Sequence, residues 1–441
     1  MNNRGSTDSL RVPGEVIEIA RTLRDAGFET WCVGGAVRDA LLGVNSLDWD
    51  LATAAPPKTV RQLFRRTVPV GIEFGTVGVL DRAGIMHEVT TFRRDVHTDG
   101  RHAVVEFGAS LDQDLARRDF TINAIAYDPI GRQLHDPFGG QADLARRLVR
   151  AVGDPEARLA EDRLRALRAI RFSARFDFDL EAATWTAVVG SAAHLSRLSP
   201  ERVKQEIEKT MEQVRVPSRA LARWRQAGAF ASLVPALASV SDQVLAAVDA
   251  LPMPGPKTRP GRRALRIAAL LSDVSGQSAS RSLRDLRFSN LNVVWISALV
   301  DAWDRLGAPL TAQLVAPEPP SDASLRQLAA AVGRLRIAPF LRLAAARWSA
   351  LPKDESPAPR RVREVYRRSL RIAFRDAIEV SDLVIDGDDL RSAGIAAGPV
   401  YGKVFISLLA DVVADPSRNE RSILMARAKA LVAEFAGGGA R

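Results

Sequence analysis

Trp31–Leu51, read as WCVGGAVRDALLGVNSLDWDL, decides the architecture of this chain. A short apolar run, Thr30–Val33, enters Gly34-Gly35, continues as a helical stretch, and ends in Asp48-Trp49-Asp50, where Leu47–Leu51 reads as a second strand. A strand, a glycine bend and a helix in that order open an α/β or α+β unit. Glycines at the bend let backbone N–H groups approach a ligand without interference from Cβ, and the helix start behind them favours phosphate. Arg38, in the first turn of that helix, can add a charge-assisted contact to the same phosphates. Strand residues alternate faces, so Asp48 and Asp50 are expected on one side and Trp49 on the other, in the core. Two such carboxylates suit Mg²⁺, which prefers oxygen ligands beside substrate phosphates. Taken singly, a Gly-Gly pair is usually a turn and an Asp-x-Asp pair usually a solvated strand face; the ordered set carries the signal.

Working outward, further strands are expected at Thr76–Leu80, His87–Phe92, Val104–Phe107 and Ile125–Tyr127, separated by glycine turns. From about Asp143 the texture changes to Ala, Leu, Arg and Glu at helical spacing. Proline-dense stretches at Leu251–Arg263, Val315–Asp322 and Leu351–Pro359 read as connections between helical groups. At 441 residues, with 46% hydrophobic and 26% charged residues, several domains are expected of a soluble chain, and no apolar run is long enough to span a bilayer. The polar N-terminus does not read as a signal peptide. One cysteine, Cys32, excludes an intramolecular disulfide framework, suits the cytoplasm, and is expected to be buried beside the glycine turn. The five histidines show no metal-ligand spacing. A net charge of +10 favours a polyanionic partner, although an arginine-rich proteome would produce the same excess.

Two later segments bear on chemistry. Ala116–Ala126, ARRDFTINAIA, reads plainly as a helix start capped by Asp119 or Thr121, but that leaves Arg117 and Arg118 unexplained before an apolar run. A guanidinium there could hold a triphosphate or neutralise departing pyrophosphate. In Glu161–Arg171, EDRLRALRAIR, a single helix would make Asp162 and Arg165 neighbours, continue through Arg168 and Arg171, and bury Leu164, Leu167 and Ile170. An ordinary salt-bridged surface helix fits that spacing. So does a base reader: a carboxylate accepts from the exocyclic amine of cytosine or adenine while a guanidinium donates to the adjacent ring nitrogen. Uracil and guanine present the reverse and would leave polar groups unpaired.

GGAVRD with Asp48 and Asp50, then RRDFTINAIA, then EDRLRALR, resemble in this order the class II CCA-adding tRNA nucleotidyltransferases and their relatives, the bacterial poly(A) polymerases, of the polymerase-β-like nucleotidyltransferase superfamily. Clear motif coverage runs over roughly residues 28–210. The resemblance implies an α+β fold: a nucleotidyltransferase head with a mixed sheet at 12–145, then an all-α neck at 146–212, body at 213–350 and tail at 351–441. It implies CCA addition to tRNA 3′ ends from CTP and ATP, with Mg²⁺ as cofactor, tRNA and nucleoside triphosphates as partners, and no obligate protein partner. Gly34, Gly35, Arg38, Arg118, Asp162, Arg165, Arg168 and Arg171 would contact the nucleotide. Asp48 and Asp50 would be the catalytic metal ligands, with Glu88 of HEVTTF as a third carboxylate.

Val70–Val77, VGIEFGTV, resembles the tRNA enzymes where poly(A) polymerases carry a basic stretch. Phe92–Phe107 stands where those enzymes have the flexible loop linked to the CTP-to-ATP switch, and its presence favours full CCA addition. Its shorter length and the lack of the usual aromatic residue leave CC-only or A-only addition open, with poly(A) synthesis as the rival of the same chemistry. A non-catalytic RNA-binding protein is the alternative of another class. Leu270–Gly276, LLSDVSG, carries Ser272 where a His-Asp phosphohydrolase has a metal ligand, so no second metal site is expected. Arg281–Leu291 and Ile385–Gly402 resemble C-terminal parts of the tRNA enzymes. Arg363, Arg367, Arg371 and Arg375 recur every four residues. On a helix they form a stripe roughly 18 Å long, either a solvated face or a track for an RNA backbone.

Overall fold

The computed structural model describes residues 10–45, 48–98, 103–255, 258–395 and 398–437. These form two compact units, one running to Thr210 and including Val214–Ala238, the other comprising Met211–Gln213 and the chain from Ser239 onward. The expected head and nearly all of the expected neck lie in the first unit; the expected body is divided, with Val214–Ala238 in the first unit and the remainder in the second beside the tail residues.

The first unit opens with α1 (Gly14–Asp25), β1 (Thr30–Val33), α2 (Gly35–Leu41), β2 (Asp50–Thr53) and α3 (Pro57–Leu63). Next come β3 (Thr67–Gly71), β4 (Thr76–Leu80), β5 (Met86–Thr91), and a separate antiparallel pair, β6 (Arg93–Thr98) and β7 (Ala103–Phe107). The sheet is completed after α4 (Leu111–Ala116) by β8 (Ala126–Asp128) and β9 (Gln133–His135). Seven strands lie in the order β3-β4-β5-β2-β1-β8-β9. The sheet is mixed: β2 and β5 pair in parallel, while β1–β2, β1–β8, β3–β4, β4–β5 and β8–β9 are antiparallel.

Two strands differ from expectation in an informative way. The second strand begins at Asp50, so Asp48 lies before it; Ser46 and Leu47 fall outside the described residues. Burial still alternates across the segment, with Asp48 exposed and Trp49 1% exposed. β3 carries Pro69, which argues against a central strand, and sits at the edge of the sheet, where a missing N–H costs least.

The first unit continues through α5 (Gly140–Arg146), β10 (Leu148–Val149), α6 (Pro155–Glu161), α7 (Leu164–Phe176), β11 (Asp179–Leu180), α8 (Ala182–Gly190) and α9 (Pro200–Gln213). β10 and β11 pair in parallel. On α7 the expected stripe Leu164, Leu167 and Ile170 is buried.

The second unit is helical throughout its described residues. The helices Asn290–Val315 and Asp322–Val332 flank one proline-dense connection, and Ile337–Ser349 and Pro359–Arg375 flank another, as expected. The first such connection is shorter than expected, because a helix starts at Arg259 with Pro260 in its opening turn, where proline is tolerated. Arg363, Arg367, Arg371 and Arg375 are all exposed on Pro359–Arg375. Arg361 and Arg368 on the same helix instead bond within the unit, Arg361 to the Leu314 carbonyl at 3.0 Å and Arg368 to Asp322 at 2.5 Å.

Candidate active site

The site is built where β1 turns into α2. Gly34 adopts φ 77° and ψ −132°, a conformation that L side chains rarely take. A Cβ on Gly34 would stand 2.9 Å from Nη1 of Arg118, so that guanidinium lies against the bend. The antiparallel register pairs Val33 with Asp50, which sets the first residue of β2 beside the same bend. The parallel register pairs Leu51 with Val89 and, one step earlier, sets Asp50 beside Glu88.

The carboxylates sense each other. Burial above all, and then the Asp48 and Glu88 charges, push the Asp50 carboxyl up to about 7, while Arg118 pulls it down. Among the described residues no group of three or more His, Cys, Asp or Glu side chains forms a ready-made metal cage. The two facts are compatible, because carboxylates repel each other over longer distances than a cage requires. Glu88 is thus an electrostatic neighbour of Asp50.

Arg118 is steered from below. Asp114 on α4 is buried and bonds Arg117 at 2.8 Å and Arg118 at 3.3 Å. Burial alone would raise the Asp114 carboxyl; Arg117 and Arg118 outweigh it and hold it below the ordinary range. Arg118 Nη1 also donates to the Asn123 carbonyl at 3.4 Å, and its buried Nε has no hydrogen-bond partner.

ARRDFTINAIA does not form the expected capped helix. A single 3-10 turn, Thr121–Asn123, follows Phe120 without a side-chain cap, and Thr121 donates to Asp143 at 2.6 Å. Asp119 is a junction: its carboxylate accepts from the Phe120 N–H at 2.9 Å, the Asn123 side-chain amide at 2.8 Å and Arg168 at 2.7 Å. Burial would raise the Asp119 carboxyl, but Arg168 and Asn123 hold it low. Asn123 in turn accepts from Arg38.

Arg38 is 4% exposed. Its guanidinium bonds Asp39 at 2.6 Å and lies over Phe172 and Phe176 of α7, 5.3 and 4.6 Å from their ring centres. Burial lowers its pKa against the pull of Asp39. The structure therefore has Arg38 fastening α2 to α7, where a direct phosphate contact was expected.

The expected single helix through EDRLRALRAIR is broken. α6 ends at Glu161, Asp162 is extended at φ −149° and ψ 103°, and α7 starts at Leu164. Asp162 Oδ1 accepts from the Leu164 N–H at 3.0 Å, and Arg202 of α9 donates to Oδ2 at 2.7 Å. Arg165 donates to Glu161 at 2.6 Å and to the Arg117 carbonyl at 2.9 Å, which brings it to the strand–turn segment carrying Arg118. Arg171 is 3% exposed and its Nε donates to Glu206, 1% exposed, at 2.7 Å. A nucleotide contact from Arg171 would have to open that buried pair, so the structure places it in the scaffold of the neck.

Asp114, Asn123, Arg202 and Glu206 escaped sequence reasoning. Asn123 stood within a quoted motif; Arg202 and Glu206 stand 40 and 35 positions from their partners, with no local signal. Cys32 is fully buried as expected, and its burial, with Asp128 and Asp50, pushes the thiol upward.

Residues 30–150 match the family described as the poly A polymerase head domain, and residues 177–240 match the one described as "Probable RNA and SrmB- binding site of polymerase A". A CCA-adding enzyme of a Geobacillus species is 46% identical over 218 residues, covering 49% of this chain and 53% of that protein. One from Leuconostoc mesenteroides is 47% identical over 206 residues, covering 46% and 51%. The alignments span about half the length of these curated relatives. Among solved structures, the Bacillus stearothermophilus CCA-adding enzyme in complex with CTP superposes with a TM-score of 0.74 at 31% identity, over 96% of this chain and 98% of that one. The Thermotoga maritima CCA-adding enzyme complexed with tRNA shares the fold, with a TM-score of 0.62 at 21% identity over 96% and 97%.

Proposed function

This chain belongs to the CCA-adding enzymes, and from that membership we propose that it is a template-independent tRNA nucleotidyltransferase building CCA on tRNA 3′ ends from CTP and ATP. The observation that carries the reading is the convergence of Asp48, Asp50 and Glu88 with Arg118 at the Gly34 bend. The reaction is attack of an RNA 3′-hydroxyl on the α-phosphate of CTP or ATP, with release of pyrophosphate.

The donor set fits Mg²⁺. Hard carboxylate oxygens are present, burial and then the Asp48 and Glu88 charges push the Asp50 carboxyl up to about 7, and a divalent cation would relieve the repulsion among them. Mg²⁺ commonly takes one or two carboxylates and fills its shell with water and substrate phosphate, so a protein cage of three is not required. Asp48 and Asp50 would hold the ion. When bound, it supplies charge stabilisation for the attacking and departing oxygens.

The protein's own groups do the rest. The Gly34-Gly35 bend leaves backbone space for the triphosphate. Arg118, packed on that bend and anchored by Asp114, neutralises charge as pyrophosphate leaves. Asp162 accepts from the base amine and Arg165 donates to the ring nitrogen beside it, while Arg168, held by Asp119, supports nucleotide binding from the same helix as Arg165. The exposed arginines of Pro359–Arg375 follow the RNA backbone. No helix among the described residues is long and apolar enough to cross a membrane; the cytoplasm is proposed from the tRNA substrate.

The deciding experiment offers each triphosphate separately to tRNAs ending one, two and three nucleotides short of the mature end. Stepwise C, C and A addition is expected, and Asp48→Ala and Asp50→Ala should reduce it by at least about 10³-fold with RNA affinity preserved. Untemplated runs of A would point to a poly(A) polymerase, a halt after CC or activity on the last step alone to a partial enzyme, and no incorporation to an RNA-binding protein.

A further inference from the structure

We propose that Arg202 is a positioning residue for base selection, acting by aiming the carboxylate of Asp162. The inference rests on the base-reading role proposed above for Asp162.

Asp162 lies in the break between α6 and α7, outside both helices, so no helical geometry orients its side chain. Two bonds do. The Leu164 N–H holds Oδ1 at 3.0 Å from within the chain, and the Arg202 guanidinium holds Oδ2 at 2.7 Å from across the neck. A carboxylate has about four acceptor directions, so these two leave the others available to an incoming base.

The orientation matters because discrimination between cytosine and uracil depends on which edge atom meets the acceptor. A fixed Asp162 carboxylate receives the exocyclic amine of CTP or ATP and presents no donor to the carbonyl of UTP or GTP. Held at one oxygen only, the carboxylate can rotate about its remaining bond and accept the ring N–H of uracil instead.

The face of α9 that carries Arg202 is itself fixed. One helical turn later, Glu206 is locked to Arg171 of α7. Arg202 therefore reaches Asp162 from a helix already pinned to the base-reading helix. The side chain of Arg202 is 30% exposed, so its removal leaves no buried cavity.

The test compares kcat/KM for CTP and UTP on tRNA lacking its terminal CCA, in the full-length parent and in Arg202→Ala, Arg202→Lys and Asp162→Ala. Arg202→Ala should narrow the CTP preference by about 10-fold, chiefly through KM for CTP, with thermal midpoint and tRNA affinity unchanged. Arg202→Lys, which keeps the charge, should recover much of the preference. Arg202→Gln carries the same test should the alanine variant fail to fold. An unchanged preference in Arg202→Ala alongside a lost one in Asp162→Ala overturns this proposal alone. A preference that survives Asp162→Ala overturns the base-reading assignment beneath it. Equal slowing of both nucleotides with a lowered thermal midpoint would give Arg202 a purely structural role and also sink the proposal.

Discussion

At the scale of single residues, the site is costly to fold. Asp50 is expected to titrate near 3.9 when unfolded and near 7 when folded. A raised folded-state pKa favours the native protein while the group stays protonated, and that contribution is lost as pH climbs from about 4 to about 7. In metal-free protein, Asp50→Asn should therefore match the parent at pH 4 and exceed it in thermal midpoint at pH 8; thermal unfolding across that range checks it. An equal gap at both pH values would refute the raised carboxyl of Asp50, set first by burial and then by Asp48 and Glu88. Gly34 poses the opposite constraint, a backbone shape that only glycine holds cheaply. Gly34→Ala should cost about 1–3 kcal/mol of stability. By displacing Arg118, it should also lower kcat/KM for CTP by about 100-fold. Stopped incorporation assays and denaturant titration separate the two losses.

At the scale of elements, the neck depends on one buried ion pair between α7 and α9. Removing one partner of such a pair strands a charge, so Glu206→Ala should lose about 3 kcal/mol in urea unfolding. A loss below about 1 kcal/mol would mean that Arg171 finds another partner or water. This pair also marks what the sequence could and could not disclose. Gly34, Asp50 and Arg118 were legible because each stands in a short stretch whose residue types have one economical explanation together. Thr30–Val33 and Thr76–Leu80 were legible for the same local reason, apolar β-formers bounded by turns. The edge strand at Thr67–Gly71 was hidden by Pro69, and the break at Asp162 by helix-forming neighbours on both sides. The partners Arg202 and Glu206 are products of packing and have no linear signature. The burial of Arg38 and Arg171 was not legible, because the spacing of arginines records charge but not packing.

At the scale of the whole molecule, the charge balance and the stripe on Pro359–Arg375 make a joint claim about RNA. Arg367→Glu with Arg371→Glu should weaken tRNA binding by about 10-fold or more at low salt. It should also flatten the dependence of affinity on salt by roughly two counterions. Filter binding over a salt series checks both; an unchanged slope would return the stripe to plain solvation. Those four side chains face solvent on one helix, so under the proposed role they would meet phosphates without touching a base. Such a surface has no means of refusing other polymers of the same charge. Heparin or long polyphosphate should compete with tRNA and leave CTP binding untouched, and protein drawn from cells at low salt should carry stray nucleic acid that a salt wash strips away.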